Sequence, residues 1–267
     1  MKRFISFSGG VESTTMCILY GKGATAIWCD TGDEEPEMYE RIAKVEKELI
    51  EIHDGDFRLV KIYPEIVAKG KVCHTIEEAA LAWSFYAAAN ARWCTSKFKI
   101  EPIDLFLMQQ GPCELLIGFN ADEEPEKDRT GNFMECDNVD YRYPLYEDGF
   151  TRYDCEETLR MHRLLPNFPI YMKRGGCRKC FFRGKGEMKA KYIFNPTEFA
   201  KDKAFENHMN DVSDRKKFYH INMNAGASYQ SIEDEVNREI AQWGIDEVKR
   251  MYKSIETHKA CGAFCHR

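Results

Sequence analysis

The chain has 267 residues, enough for one large α/β domain or a domain with a helical appendage, and ample for a real core. Its formal net charge of −6 exerts no global pull towards nucleic acid. No apolar run approaches the roughly 20 residues that span a bilayer, and Met1-Lys2-Arg3 leads straight into the first apolar run. A cytoplasmic chain without signal peptide or membrane partner is therefore expected.

Residues 2–7 are an apolar run that ends in Ser8-Gly9-Gly10-Val11-Glu12-Ser13-Thr14. A buried parallel strand feeding a helix through a ligand-binding turn has this form. Gly9 and Gly10 lack a Cβ and let backbone approach a ligand. Ser8, Ser13 and Thr14 add hydroxyls at a helix start, where unpaired N–H groups and the positive dipole end favour an anion. The same residues also read as a capped turn, with Ser13 or Thr14 as the cap.

The first helix is expected to stop at Gly21-Lys22-Gly23, and a second strand over 24–29 runs into Asp30-Thr31-Gly32. Pro36 fits the first turn of a helix reaching to about Glu51, whose Met38, Ile42, Val45 and Leu49 form an apolar stripe. A third strand is expected over 57–63 after Asp54-Gly55, helix over 75–90 and again over 103–110, and a fourth strand over 114–119. That strand ends in Asn120-Ala121-Asp122-Glu123, polar groups at the edge where open α/β sheets bind ligands. This alternation predicts an α/β fold with a doubly wound, mostly parallel, Rossmann-like sheet. From Tyr141 the pattern changes to an extended piece over 141–145, a helix over 151–165, and a mostly helical, lysine-rich remainder. The expected division is a nucleotide-binding core over 1–170 and a cysteine-containing basic segment with a helical C-terminal region over 171–267.

Eleven cysteines are many for a chain in a reducing compartment, where thiols are buried, catalytic or metal-bound. Cys17 and Cys29 fall in core patterns, and Cys73, Cys113, Cys136 and Cys155 have no partner at ligand spacing. Cys177-Arg178-Lys179-Cys180, flanked by glycines, suits zinc, two corners of an iron–sulfur cluster, or a redox dithiol. Cys94 is the candidate third ligand, and Cys261, Cys265 or His266 the candidate fourth. Between 173 and 191 stand eight basic residues and Glu187 as the one acid. That run could grip a nucleotide's phosphates or a nucleic acid, or be a solvated helical face.

Taken together these stretches resemble a known family. Ser8-Gly9-Gly10-Val11-Glu12-Ser13 resembles the pyrophosphate loop (PP-loop) of the adenine nucleotide alpha hydrolase superfamily. Asp30-Thr31-Gly32 with Glu34, Pro36 and Glu37 is similar to a segment of the phosphoadenosine phosphosulfate (PAPS) reductase family. So are Cys94 with Lys99, Ile100 and Pro102, the run Gly118-Phe119-Asn120-Ala121-Asp122-Glu123, Tyr143-Pro144-Leu145, and the Cys177/Cys180 pair. The resemblance covers roughly residues 3–183.

The resemblance implies an adenine nucleotide (PAPS, adenylyl sulfate, or ATP with Mg2+) held by Ser8, Gly9, Gly10, Glu12, Ser13, Thr14, Asp30, Thr31, Gly32 and Gly118, with Arg178 and Lys179 facing its phosphates. It further implies Cys261, in a tail like the family's Cys-Gly-x-His, as a nucleophile that reduces adenylyl sulfate to sulfite with a thiol partner such as thioredoxin. A 4Fe-4S cluster, or zinc, would take Cys94, Cys177, Cys180 and Cys265; a homodimer is compatible with all of this. Departures are visible too: Glu12 stands where the family has Asp, Asn120 where it often has Arg, and Thr95 where cluster-bearing reductases have a second cysteine. A three-cysteine cluster resembles instead the ATP-dependent tRNA thiolation enzymes of the superfamily. A zinc-stabilised nucleotide-binding accessory protein is the non-catalytic alternative.

Overall fold

A computed structural model describes residues 1–123, 136–212 and 226–253. They form two compact units, one from 1–64 and 95–167, the other from 65–94 and the described residues after 167. The expected boundary at 170/171 lies near the chain's third crossing, at 167/168, and 65–94 also joins the second unit. Among the described residues no helix is long and apolar enough to cross a membrane.

In chain order the elements begin with β1 (Lys2–Ser6), α1 (Val11–Tyr20), β2 (Thr25–Cys29), α2 (Pro36–Ile52) and β3 (Arg58–Ile62). The hairpin β4 (Ile66–Ala68) and β5 (Lys71–Cys73) follows, then α3 (Ile76–Trp83). The short turn α4 (Trp93–Thr95) and a π-helical stretch (Ser96–Ile100) lead into α5 (Glu101–Met108). After β6 (Cys113–Leu116) and β7 (Val139–Arg142) come α6 (Pro144–Glu147) and α7 (Arg152–Met161). The remaining helices are α8 (Lys185–Phe194), α9 (Pro196–Val212), α10 (Tyr229–Trp243) and α11 (Ile245–Lys253).

The first unit is built on a five-stranded sheet of order β3-β2-β1-β6-β7, every neighbouring pair parallel. Side chains alternate across it, as the pleat requires. Ile5, Trp28 and Leu116 pack with Met16 of α1, Ile42, Val45 and Leu49 of α2, and Leu159 of α7. Phe4, Ile27 and Leu115 point the other way and pack with Leu107, Ile103 and Phe106 of α5. Both faces are covered, so the doubly wound expectation holds. The strand order reverses between β1 and β6, and in open α/β sheets such a switch point opens a crevice at the carboxyl edge.

Three boundaries differ from expectation. The helix expected over 75–90 ends at Trp83, where Ser84 adopts a left-handed φ of 54° and its N–H bonds back to Ala80 and Leu81. The fourth strand ends at Leu116, and α7 ends at Met161. The β4–β5 hairpin was not expected; it turns on Lys69 and Gly70, both at positive φ.

The second unit is held by charge as much as by apolar packing. Lys191 of α8 and Asp202 of α9 pair at 2.6 Å with side chains 2% and 0% exposed. Removing Lys191 leaves the buried Asp202 carboxylate with Arg178, at 3.0 Å, as its cation. Lys191→Met is expected to cost on the order of 3 kcal/mol, and Lys191→Met/Asp202→Asn less than the single change, both read by urea unfolding.

Candidate functional site

The turn after β1 is shaped by Gly9, whose φ of +73° favours glycine. A Cβ there would lie 2.6 Å from Ile42 Cδ1. Gly10 is the N-cap of α1, and no side chain caps this helix, which removes Ser13 and Thr14 as caps. Their hydroxyls tie the turn together instead. Thr14 Oγ1 donates to the Gly10 carbonyl at 2.6 Å, and the Ser8 amide donates to Ser13 Oγ at 3.2 Å. The result is a helix start with exposed Ser8 beside it and N–H groups directed at the carboxyl edge of β1.

After β2, Asp30 Oδ1 accepts from the Gly32 amide and from Tyr39 Oη, both at 2.9 Å, with Gly32 at φ +72°. This is a side-chain-closed turn, and the hydrogen bond keeps the Tyr39 phenol protonated well above its usual range after the larger effect of burial. Buried Thr31 donates to Glu34 Oε1 at 3.2 Å, and Lys99 lies 3.7 Å from the same oxygen. Asp30, Thr31 and Gly32 thus form one rigid turn next to the first loop's strand.

Gly118, after β6, sits flush on the first turn of α1: a Cβ would meet Glu12 Cβ at 3.2 Å and the Ser13 amide nitrogen at 3.3 Å. The two family departures meet here. Asn120 Nδ2 donates to buried Glu12 Oε1 at 3.2 Å, and Arg152, the first residue of α7, donates to the same oxygen at 2.5 Å. Burial works against the Arg152 charge, but Glu12 and Glu156 outweigh it and hold its pKa above the ordinary value. The extra methylene of Glu12 lets its carboxylate reach a guanidinium from α7, with Asn120 as the shorter second donor. Arg152 was missed from sequence because its partner lies 140 residues away. Arg41 was missed as well: it projects from α2 to donate to the Gly9 carbonyl at 2.5 Å.

Among the described residues the thiols sort by burial. Cys17, Cys29, Cys73, Cys113, Cys136 and Cys155 are buried throughout the chain, whereas Cys94, Cys177 and Cys180 are half-buried. Cys94 and Cys180 share Arg92, whose pKa is lowered by burial against the raising influence of both sulfurs. Arg174 donates to Cys180 Sγ at 3.9 Å, and both guanidiniums lie within 6 Å of the Phe182 ring, at 5.5 and 5.8 Å. Arg183 closes the turn by donating to the Cys177 carbonyl at 3.2 Å. Zinc or an iron–sulfur cluster needs more: among the described residues no group of three or more Cys, His, Asp and Glu is placed to hold a metal ion. The described thiols fall short of that ligand set, and Cys261 and Cys265 lie outside the described residues.

Arg178 and Lys179, expected at the phosphates, are engaged otherwise. Arg178 pairs with Glu77 at 2.8 Å, Glu198 at 3.1 Å and Asp202 at 3.0 Å. Lys179, with a side chain 0% exposed, pairs with Glu77 and lies 5.0 Å from the Phe205 ring. Further along, Lys185 and Lys189 pair with Glu235 and Glu239 of α10. The basic run is mainly an internal ion network, unlike an open stripe that tracks a nucleic-acid backbone.

The family model of the phosphoadenosine phosphosulfate reductase domain matches residues 2–142, more than half of the chain. The chain belongs to this family. Through it, the PAPS reductase-family protein belongs to the PP-loop superfamily, and its domain is that of a nucleotide-binding enzyme of sulfur metabolism. A search among curated proteins finds no match. The matched span contains the Gly9 turn, the Asp30 turn and the Gly118 contact described above.

Two outcomes test this geometry. Glu12→Asp withdraws the carboxylate from Arg152 and is expected to destabilise by about 1–3 kcal/mol in urea; adding Asn120→Arg, the family's residue, is expected to recover part of it. For Glu77, burial raises the pKa, but the Lys179 and Arg178 charges outweigh it and hold the carboxyl below its ordinary range. Stability from this pairing is full above that ordinary value and is lost as pH falls through the depressed one. Thermal melts should therefore weaken on acidification through the carboxylate range, and Glu77→Gln should flatten that dependence.

Proposed function

We propose that this PAPS reductase-family enzyme binds an adenylyl sulfate with its phosphates at residues 8–14 and reduces the sulfate to sulfite. The observation that carries the reading is the uncapped start of α1 behind left-handed Gly9, set beside the Asp30 turn and Gly118 at the sheet's switch point. Family membership supports the substrate class.

In this reading the Cys261 thiolate attacks the sulfate sulfur. An S–S bond forms, the bond from sulfur to the bridging phosphate oxygen breaks, and the nucleotide monophosphate leaves. A partner dithiol then attacks the enzyme sulfur, is oxidised to a disulfide, and releases sulfite while Cys261 returns as thiol. A thioredoxin-type protein is the proposed partner.

A second reading, an ATP-dependent sulfurtransferase, is supported by Cys94, Cys177 and Cys180 being the half-buried thiols among the described residues. The two separate by titrating ATP and PAPS side by side and by following the product. Wild-type protein with thioredoxin is expected to bind PAPS or adenylyl sulfate and release sulfite; Cys261→Ser should bind it and release none. ATP–pyrophosphate exchange that depends on an acceptor, together with iron on elemental analysis, would move the assignment to the second reading.

A further inference from the structure

A phosphate cradle needs its peptide N–H groups turned to the anion and its carbonyls turned away, and each carbonyl turned inward needs a donor. Two carbonyls of the glycine pair are supplied here from within the first unit. Thr14 Oγ1 donates to Gly10 O at 2.6 Å, and Arg41 Nε donates to Gly9 O at 2.5 Å. The same guanidinium donates from Nη1 to Leu164 O at 3.1 Å and from Nη2 to Thr14 Oγ1 at 3.5 Å. It thus ties the loop, the first turn of α1 and the segment after α7 to α2. Three acceptors on separate segments suit a planar fork of donors and not a single ammonium.

The peptide between Gly9 and Gly10 is trans, so its C=O and N–H point in opposite directions. Holding the carbonyl inward directs the Gly10 N–H outward, where it meets exposed Ser8 Oγ at 3.4 Å. Glycine on both sides makes this peptide plane the easiest in the loop to flip. A flipped plane would set a carbonyl lone pair against a phosphate.

We propose that Arg41 is a positioning residue for phosphate recognition: it locks the Gly9–Gly10 peptide with its N–H towards the nucleotide's phosphates without touching the nucleotide. This rests on the reading that residues 8–14 hold those phosphates. Burial pulls the guanidinium's pKa down to about 10, which leaves it charged and donating at neutral pH.

The test is calorimetric titration of wild type, Arg41→Met and Arg41→Lys with ATP, PAPS and adenosine. Arg41→Met is expected to weaken the phosphate-bearing ligands by about 10–100-fold and to leave adenosine within about twofold of wild type. Arg41→Lys should fall between the two, and it decides the matter if the methionine variant does not fold. Equal losses for adenosine and ATP would reduce Arg41 to a general packing role and overturn the proposal, as would unchanged affinity for all three. If wild type binds PAPS or ATP and both variants match it, the Arg41 inference alone falls. If wild type binds neither, the phosphate-loop reading falls and takes the inference with it.

Discussion

Left-handed Gly9 is the constraint on which the nucleotide half depends. Its φ of +73° falls in the four-residue turn from β1 into α1, and the space where its side chain would be is taken by Ile42 of α2. Any other residue would carry both a strained backbone and a collision. Because α2 packs that closely, the second helix does more than cover the sheet. It supplies the wall behind the loop through Ile42 and Met38, and the donor that fixes the loop's carbonyl through Arg41. The Asp30 turn then sits just before the same helix, so one helix braces the loops that follow β1 and β2.

A second constraint concerns the charge placed in α1. Glu12 is buried in the first turn, where an acid suits the helix dipole but still needs donors once it leaves water. Here the longer acid and Asn120 leave the cation to Arg152, delivered by α7, whose N-terminus is fixed by a capping box between Thr151 and Asp154. Two substitutions that look like independent departures in sequence are one interaction in space. This explains how the edge of β6 keeps its polar character without the arginine.

Much of the first unit was legible because buried parallel strands announce themselves as short apolar runs, and because Met38, Ile42, Val45 and Leu49 keep helical spacing over about three turns. The unreadable parts have physical reasons. The β4–β5 hairpin has three-residue strands joined by Lys69-Gly70, which lacks the Asn-Gly or Asp-Gly turn signal. The alanine-rich stretch after Trp83 has high helix propensity, yet Tyr86 is buried with its hydroxyl donating to the Lys179 carbonyl, 93 residues away. Tertiary packing there overrides local preference. Arg178 and Lys179 looked like phosphate ligands because charge is visible in a sequence and Glu77, Glu198 and Asp202 are too distant in it to be paired with them by eye.

That network also bears on what the thiols can do. Burial pushes the thiols of Cys29 and Cys155 up to about 12 and that of Cys17 higher still, so these sulfurs stay protonated and inert as nucleophiles. Cys94, Cys177 and Cys180 are the half-buried thiols among the described residues. The two residues between Cys177 and Cys180 are anchored to acids of α3 and α9, Arg183 holds the Cys177 carbonyl, and Phe182 lies under two guanidiniums beside Cys180. A turn braced by these contacts loses little entropy when its sulfurs are engaged. The acids that pair with Arg178 and Lys179 therefore also brace the turn that carries Cys177 and Cys180.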